Sequence, residues 1–219
     1  MCTQKSRDCT FPWVCVMIFE TISSQIGYLD GVKLMEEKLN DVLQGQGNRA
    51  LLLEHVHGYT CGTGSMEPLS PAIAGVPVYR TDRGGKITYH GPGQRVVYPI
   101  VQLGQGPFLQ DVRWYVRFLQ EWIIQTLWCF GIVATGHPEH VGVWVENAKI
   151  ASIGIRVRRW VAYHGFCVNV NPDLDYFRRI EPCGLKGCCV TSMERLGTQI
   201  ALEEFDVALE ASFAGALRR

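Results

Sequence analysis

The sequence predicts one α/β domain rather than two small ones, and three observations lead to that prediction. The chain has 219 residues, a length typical of one domain of this class. Apolar residues recur at helical spacing near residues 28–44, 111–130 and 201–217. Apolar runs rich in β-branched and aromatic residues lie between them, most densely in the second half. We therefore expect one domain over 1–219, with a core at about 13–195 and a C-terminal amphipathic helix.

The first half of the chain predicts a helix between strands. Residues 12–20 predict a buried first strand, and a helical apolar face begins at about Tyr28 and ends at the turn Gly45–Asn48. The other elements predicted here are a buried strand at 50–55, a Gly-, Pro- and Ser-rich loop at 58–77, a short strand at 78–81 and a strand at 94–103.

The second half predicts a long helix followed by strands. Asp111 is placed to cap the helix, which should end at Gly131. Its predicted apolar face is Val112, Tyr115, Val116, Leu119, Ile123, Leu127 and Phe130. The elements predicted after it are strands at 141–145, 149–158 and 160–170, a hairpin turn at 146–148, a helical turn at 173–180 and a loop at 181–193.

Composition excludes several classes of function. The formal net charge is zero, so no overall basic field attracts nucleic acid. No apolar run reaches membrane-spanning length, and residues 10–19 are too short a run for a signal peptide and lack a cleavage site. The nine cysteines are an odd number in a chain that needs no disulfides, which favours reduced thiols in a cytoplasmic protein.

Residues 83–94 form a stretch suited to wrapping a ligand. It contains four glycines and a proline, together with the side-chain donors Arg83, Thr88, Tyr89 and His90. It lacks the Gly-Lys-Ser/Thr of a P-loop and the Gly-x-Gly-x-x-Gly of a dinucleotide site. The identity of the ligand must therefore come from residues elsewhere.

Cys183 is the candidate nucleophile. A single cysteine is most often a small buried hydrophobe, but Cys183 stands between Pro182 and Gly184 on a constrained loop without core neighbours. Together with Cys188 and Cys189 it suggests a metal or redox site only weakly, because no Cys-x-x-Cys pair is present.

Lys149 and two histidines are further candidates. Lys149 begins an apolar strand, where a lysine is ordinarily an exposed end but can also act as a base or favour a nearby thiolate. His90 and His164 each stand in a Tyr-His-Gly triplet. A lone histidine is more often structural, but two alike favour a shared pocket.

Several of these stretches together resemble one family. Arg83-Gly84-Gly85-x-x-Thr88-Tyr89-His90-Gly91-Pro92-Gly93-Gln94 is similar to the signature of the lipoyl(octanoyl) transferases of lipoate biosynthesis. The other matching blocks, in the family's order, are Leu51–His55, Lys149–Gly154, Tyr163–Gly165, Asn169-Val170 and Pro182–Gly184. The chain departs from the family at His55-Val56-His57-Gly58, where His-Pro-Pro is usual.

The resemblance implies a fold and a reaction. The fold would be a mixed β-sheet with flanking helices, as in biotin and lipoate protein ligases. The reaction would move an octanoyl group from octanoyl-acyl carrier protein to a lysine of lipoyl domains, in 2-oxoacid dehydrogenase complexes and the glycine cleavage H protein. The implied route passes through an acyl thioester on the enzyme, without ATP, another cofactor or a metal.

The resemblance also implies roles for individual residues. Cys183 would be the nucleophile and Lys149 would donate and accept the protons. The implied substrate-binding residues are Arg83, Gly84, Gly85, Lys86, Ile87, Thr88, Tyr89, His90, Ser152, Ile153, Gly154, His164, Gly165, Phe166 and Cys167.

Two other functions stay open at this point. An ATP-dependent lipoate or biotin ligase-like enzyme would form an acyl adenylate and would not need Cys183. A non-catalytic module would bind an acyl chain or a carrier protein without turnover. If acyl transfer depends on ATP, the protein is ligase-like rather than a transferase. If the protein binds an octanoyl group without turnover, it is a non-catalytic module.

Overall fold

The computed structural model describes residues 17–65, 70–137, 140–180 and 189–218. Its helices are α1 Tyr28–Leu43, α2 Val112–Trp128 and α3 Leu202–Ala216, with 3₁₀ helices at Leu174–Arg179 and Glu194–Leu196. Its strands are β1 Ile18–Thr21, β2 Arg49–Leu53, β3 Gly58–Cys61, β4 Ala72–Ile73, β5 Val76–Arg80, β6 Ile87–His90, β7 Gln94–Gln102, β8 Thr135–Gly136, β9 Val143–Val145, β10 Ala148–Arg158, β11 Val161–Asn169 and β12 Cys189–Val190.

The strands of the described ranges form two mixed sheets. The large sheet has the order β1-β2-β7-β11-β10-β9-β8, and β12 pairs with β10. The small sheet has the order β4-β5-β3-β6. The pairs β1–β2, β10–β12 and β3–β5 are parallel, whereas the other described pairs are antiparallel. The expected mixed sheet with flanking helices is confirmed.

Helices cover both faces of the large sheet. Ala50 and Leu52 of β2 pack into the core beneath α2 and α3, whereas Leu51 and Leu53 pack into a second core with α1. Successive side chains of a strand point to opposite faces. A strand buried on both faces is therefore apolar throughout, which explains the continuous apolar run that predicted β2.

Helix α2 begins where the sequence predicted, and its buried face agrees with the predicted apolar face only in part. Asp111 caps the helix, and its Oδ1 accepts from the backbone N–H groups of Arg113 at 2.7 Å and Trp114 at 3.1 Å. Val112 of the predicted face is instead exposed, because it lies at the first turn. Trp122, which the prediction left out, is buried between the sheet and α3 and donates to Leu209 O at 2.7 Å.

The predicted loop at 58–77 contains strands. The prediction is wrong at β3, at β4 and at the start of β5. The glycine-rich stretch 83–94 also includes a strand, β6. Strand β3 is short, wholly buried and begins with Gly58, where a Cβ would lie 3.2 Å from the Tyr79 ring. Tyr59 and Thr60 are residue types that favour strands, but a four-residue strand buried at every position has no alternation to mark it in the sequence.

Some predictions fall partly outside the described residues. The predicted first strand extends into residues before 17, and the predicted loop at 181–193 extends into 181–188. Within the described part of that loop, Cys189 and Val190 form β12. Every helix in the described residues is too short or too polar to span a membrane.

Candidate active site

A cavity that is partly open to solvent lies between β6 and strands β7, β10 and β11. We call it the central cavity. Of the substrate-binding residues predicted from the sequence, those that line it are Arg83, Gly85, Lys86, Thr88, His90, Ser152, Ile153, Gly154, His164, Gly165, Phe166 and Cys167. The fold thus brings three separate stretches of chain to one place.

The predicted residues Gly84, Ile87 and Tyr89 do not line the central cavity. Alternation along β6 explains two of them, because Thr88 and His90 face the cavity and their neighbours point away. Tyr89 stacks on the ring of Tyr176 and its hydroxyl lies 2.7 Å from His57 Nδ1.

Three apolar or aromatic residues that the prediction did not include also line the central cavity. They are Tyr28 of α1 and Val96 and Tyr98 of β7. None of these belongs to a motif, so only the fold places them at the site.

Glycines allow the strands and the β5–β6 loop (residues 81–86) to approach closely. A Cβ on Gly165 would lie 2.3 Å from Val97 O, so β7 and β11 could not keep their spacing. A Cβ on Gly154 would lie 2.9 Å from Gly84 O. Gly84 N donates to Ile155 O at 2.9 Å, which joins the loop to β10.

The Arg83 guanidinium shapes the β5–β6 loop. Its Nη2 donates to Thr60 O at 2.9 Å, Thr60 Oγ1 at 2.8 Å and Lys86 O at 2.9 Å, and its Nη1 donates to Gly84 O at 2.9 Å. A planar guanidinium presents several donors in a fixed geometry. Arg83 therefore holds the loop beside the cavity through these acceptors.

Asp82 anchors the same loop to β11, and the sequence analysis missed it. Its Oδ1 accepts from His164 Nε2 at 2.6 Å and its Oδ2 from the Tyr163 hydroxyl at 2.9 Å. Burial raises the pKa of Asp82, but the hydrogen bonds from His164 and Tyr163 outweigh it and lower the pKa overall. Burial lowers the pKa of His164, against the opposing effect of Asp82. His164 has φ +56°, in the left-handed region.

Two other histidines near the cavity are neutral at physiological pH. His55, also missed as a site residue, donates from Nδ1 to Ile26 O at 3.2 Å, so its Nε2 accepts from the Tyr98 hydroxyl at 2.9 Å. Burial lowers the pKa of His55 to about 4. Burial, with smaller effects of His55 and Arg83, lowers the pKa of His90 to about 3.

Lys149 is buried, so the interpretation of an exposed strand end is wrong. The residue is only 3% exposed, and Nζ donates to Val141 O at 3.0 Å and lies 5.6 Å from the centre of the Trp144 ring. Its backbone pairs with Val190, and its carbonyl accepts from Thr191 N at 3.0 Å. Lys149 does not itself line the central cavity.

The predicted nucleophile Cys183 and its neighbour Cys188 lie outside the described residues. Cys189 lies on β12 and is exposed. Within the described ranges, no three His, Cys, Asp or Glu side chains are grouped so as to hold a metal ion.

Comparison with known families identifies the class of protein. The sequence model of the lipoyl protein ligase A/B catalytic domain matches residues 28–214. The chain therefore belongs to the lipoyl protein ligase A/B catalytic domain family.

Similar sequences narrow the activity. The octanoyltransferase of Rickettsia bellii is 45% identical over 201 residues, which make up 89% of this chain and 96% of the relative. That of Rickettsia canadensis is 43% identical with the same coverage. The chain is accordingly an acyltransferase that transfers an octanoyl group in protein lipoylation.

Similar solved structures show the fold. Lipoate-protein ligase A bound with ATP gives a TM-score of 0.68 at 15% identity, over 93% of this chain and 84% of that one. A bi-partite lipoate protein ligase from Thermoplasma acidophilum, described with its E2 lipoyl domain, gives 0.66 at 15% identity, over 92% and 83%. The fold is that of the lipoate protein ligases.

Proposed function

We propose that the chain takes the octanoyl group from octanoyl-acyl carrier protein onto Cys183 and passes it to the target lysine of a lipoyl domain. The observation that supports this most directly is the central cavity, where the three stretches assigned to the substrate by resemblance meet. The buried Lys149 pairs through its backbone with Val190, seven positions after Cys183 in the sequence. This pairing supports a site shared by the Lys149 amine and the Cys183 thiol.

The first half of the reaction acylates the enzyme. The Cys183 thiolate attacks the thioester carbon, so a new carbon–sulfur bond forms and the bond to the carrier sulfur breaks. The Lys149 ammonium gives its proton to the departing carrier sulfur and becomes a neutral amine. Backbone N–H groups of the site stabilise the negative oxygen that develops on the carbonyl.

The second half transfers the acyl group to the lipoyl domain. The neutral amine of the target lysine attacks the Cys183 thioester, a carbon–nitrogen bond forms, and Cys183 leaves as a thiolate. The proton lost by the attacking nitrogen goes to Lys149, which restores the ammonium. Exchange of one thioester for another costs little and amide formation is downhill, so the cycle needs no ATP.

The walls of the central cavity suit an acyl chain. Val96, Ile153 and Phe166 line it with apolar surface, and each buried methylene contributes about 0.8 kcal/mol. Thr88 Oγ1 is buried and, within the described part of the chain, has no hydrogen-bond partner. A buried hydroxyl costs free energy unless it is paired, which favours a ligand oxygen beside it.

The acceptors proposed are lipoyl domains of 2-oxoacid dehydrogenase complexes and the glycine cleavage H protein. One structural neighbour was described together with an E2 lipoyl domain, which supports this class of partner. We place the reaction in the cytoplasm, in one catalytic domain over 1–219, with no nucleic-acid partner or membrane partner and no cofactor.

Intact-protein mass spectrometry after incubation with octanoyl-acyl carrier protein tests the route. We expect an octanoyl adduct that disappears in Cys183→Ala and persists in Cys129→Ala, which removes an exposed free thiol on α2's C-terminal side. Lys149→Met should lower turnover by at least about 100-fold, the lower range for loss of a proton-transfer group. Turnover that survives Cys183→Ala, or that requires ATP, overturns the route in favour of a ligase-like enzyme.

A further inference from the structure

Three buried side chains form a hydrogen-bonded row that ends at the central cavity. Asn169 Nδ2 lies 2.9 Å from Thr191 O, and Asn169 Oδ1 lies 2.9 Å from Gln94 Nε2. Gln94 Oε1 lies 2.7 Å from His90 Nδ1. Gln94 and Asn169 are paired across β7 and β11, so strand register sets their contact.

The donors and acceptors in this row are fixed by its far end. Thr191 O is a carbonyl and can only accept, so Asn169 must present its NH₂ group there and its oxygen to Gln94. Gln94 then donates with its own NH₂ group, which also faces Tyr89 O at 3.3 Å, and turns its oxygen to His90. An amide oxygen only accepts, so the facing Nδ1 of His90 must carry the proton.

We propose that Gln94, oriented by Asn169, is a positioning residue that keeps the His90 proton on Nδ1, so that Nε2 offers a lone pair to the attacking amine in the second half of the reaction. His90 lines the central cavity, and its neutral ring has one donor and one acceptor nitrogen. The inference rests on the proposed function, because it assigns a role within the proposed amine step.

The chemistry of the substrates selects the amine as the group that Nε2 receives. A hydrocarbon chain and a thioester contain no N–H or O–H donor, whereas the incoming lysine does. When one N–H of the lysine amine donates to His90 Nε2, the lone pair of the amine points away from the ring. That orients the amine for attack on the thioester. The row also ends near the proposed proton carrier, because Thr191 donates to the backbone carbonyl of Lys149 at 3.0 Å.

The surroundings of His90 keep the ring in place and uncharged. The Tyr28 ring lies parallel to it at 6.2 Å and the His55 ring meets it at 5.8 Å. Burial lowers the pKa of His90 to about 3, with His55, Arg83 and His164 acting in the same direction. His90 therefore serves as an acceptor for the amine, and Lys149 remains the group that takes the proton.

Three variants separate this role from a structural one. Gln94→Met keeps the size of the side chain but removes its hydrogen bonds to His90, Asn169 and Tyr89 O. Asn169→Asp keeps an acceptor for Gln94, so the orientation of the Gln94 amide and the His90 proton should be retained. Gln102→Met is the matched control, because Gln102 also lies on β7 and its NH₂ group also faces backbone carbonyls, but it does not line the cavity.

The first measurement is a long-range ¹H–¹⁵N spectrum of the histidine rings, with His90 assigned by its loss in His90→Gln. We expect His90 to carry its proton on Nδ1 in the unaltered protein, in Asn169→Asp and in Gln102→Met, and to lose that preference in Gln94→Met. A proton on Nε2 in the unaltered protein overturns the inference, even if no variant folds.

The second measurement times the two halves of the reaction separately. We expect Gln94→Met to form the octanoyl adduct within about threefold of the normal rate. We expect it to pass the octanoyl group to a lipoyl domain at least about 10-fold more slowly. This loss is smaller than the loss seen when a catalytic histidine is held entirely in the wrong tautomer. Asn169→Asp and Gln102→Met should transfer within about threefold of the unaltered rate. Equal slowing in Gln94→Met and Asn169→Asp, or an unchanged amine step in Gln94→Met, contradicts the inference. Absence of any Cys183 adduct in the unaltered protein would refute the proposed function instead.

Discussion

The Oδ1 atom of Asp82 lies 2.6 Å from Nε2 of His164, although 82 positions separate the two residues in the sequence. The contact joins the β5–β6 loop to β11 on one wall of the central cavity. The Tyr163 hydroxyl and the Arg156 guanidinium also reach Asp82, the latter with Nε at 3.4 Å. One carboxylate therefore holds the loop that carries Arg83 against the strand that carries His164.

Removal of this carboxylate should weaken substrate binding more than it slows chemistry. In Asp82→Ala the loop loses its hydrogen bonds to His164 and Tyr163, so we expect KM for octanoyl-acyl carrier protein to rise about 10-fold, equivalent to about 1.4 kcal/mol. Steady-state kinetics measures this. Asp175→Ala is the control, since it removes an exposed carboxylate that pairs only with Arg178 in the described structure. A larger fall in kcat than rise in KM would assign Asp82 to chemistry instead.

A methyl group at Gly154 should displace the β5–β6 loop. Its Cβ would lie 2.9 Å from Gly84 O and 3.2 Å from Arg83 Cδ, so Gly154→Ala should raise KM for the octanoyl donor and lower the free energy of unfolding by about 1–3 kcal/mol. Kinetics and urea denaturation measure the two effects. Gly136→Ala on β8 is the matched control, because its Cβ meets only the flexible end of Gln120. Normal kinetics in Gly154→Ala would show that the loop adapts without cost.

The buried His55 should make the protein less stable in mild acid. Its pKa is about 4 in the folded protein, against an ordinary value of 6.5. Between those values the unfolded chain binds the proton and the folded one does not, so the free energy of unfolding falls as pH falls from about 6.5 to about 4. The slope from one such histidine is at most about 1.4 kcal/mol per pH unit.

Urea denaturation at several pH values tests this effect of His55. His55→Gln should reduce the slope of unfolding free energy against pH over that window. Tyr98→Phe serves as the control, because it removes the hydroxyl partner of His55 but keeps the buried imidazole, and should keep the slope. An unchanged slope in His55→Gln would mean that other groups set the acid sensitivity.

The ion pair between Arg95 and Asp206 should matter more for stability than surface pairs. Arg95 Nε lies 2.8 Å from Asp206 Oδ1, and both side chains are more than nine-tenths buried. Burial raises the pKa of Asp206 to about 6 although Arg95 opposes it, so the pair is mostly charged at neutral pH. Asp206→Ala leaves a buried cation unpaired and should cost about 3–5 kcal/mol.

Denaturant unfolding at pH 7.5 measures that cost against an exposed pair. Asp175→Ala removes an i,i+3 pair with Arg178 that is mostly in solvent, and should cost at most about 1 kcal/mol. The double variant Arg95→Met with Asp206→Leu should recover much of the loss, because no buried charge remains. Similar losses for Asp206→Ala and Asp175→Ala would contradict the argument.

Local sequence patterns predicted the elements whose burial follows a simple period. Met35, Leu39 and Val42 recur on one side of α1 and all are buried. The capping residue Asp111 was likewise visible from its position before an apolar face. Strand β3 was not visible, because its burial depends on β5 and β6 on either side of it rather than on a pattern of its own.

The site was predictable where it rests on contiguous motifs. The stretches containing Thr88, Ser152 and Phe166 line one cavity, and their binding of substrate, which the resemblance implies, stays a prediction. Asp82 and Tyr98 could not be found in this way, since their partners lie on distant strands and only the assembled sheet makes them neighbours. The placement of Cys183 stays a prediction.

The central cavity lies along a seam, because β6 belongs to the small sheet while β7, β10 and β11 belong to the large one, and no described strand pair joins the two. The short connection 91–93, together with side-chain and loop contacts, holds the two walls together. Substitutions in residues 82–90 therefore change one wall without disturbing the strand pairing around Lys149. Substitutions at Val96, Ile153 or Phe166 act on the opposite wall, which the large sheet supplies.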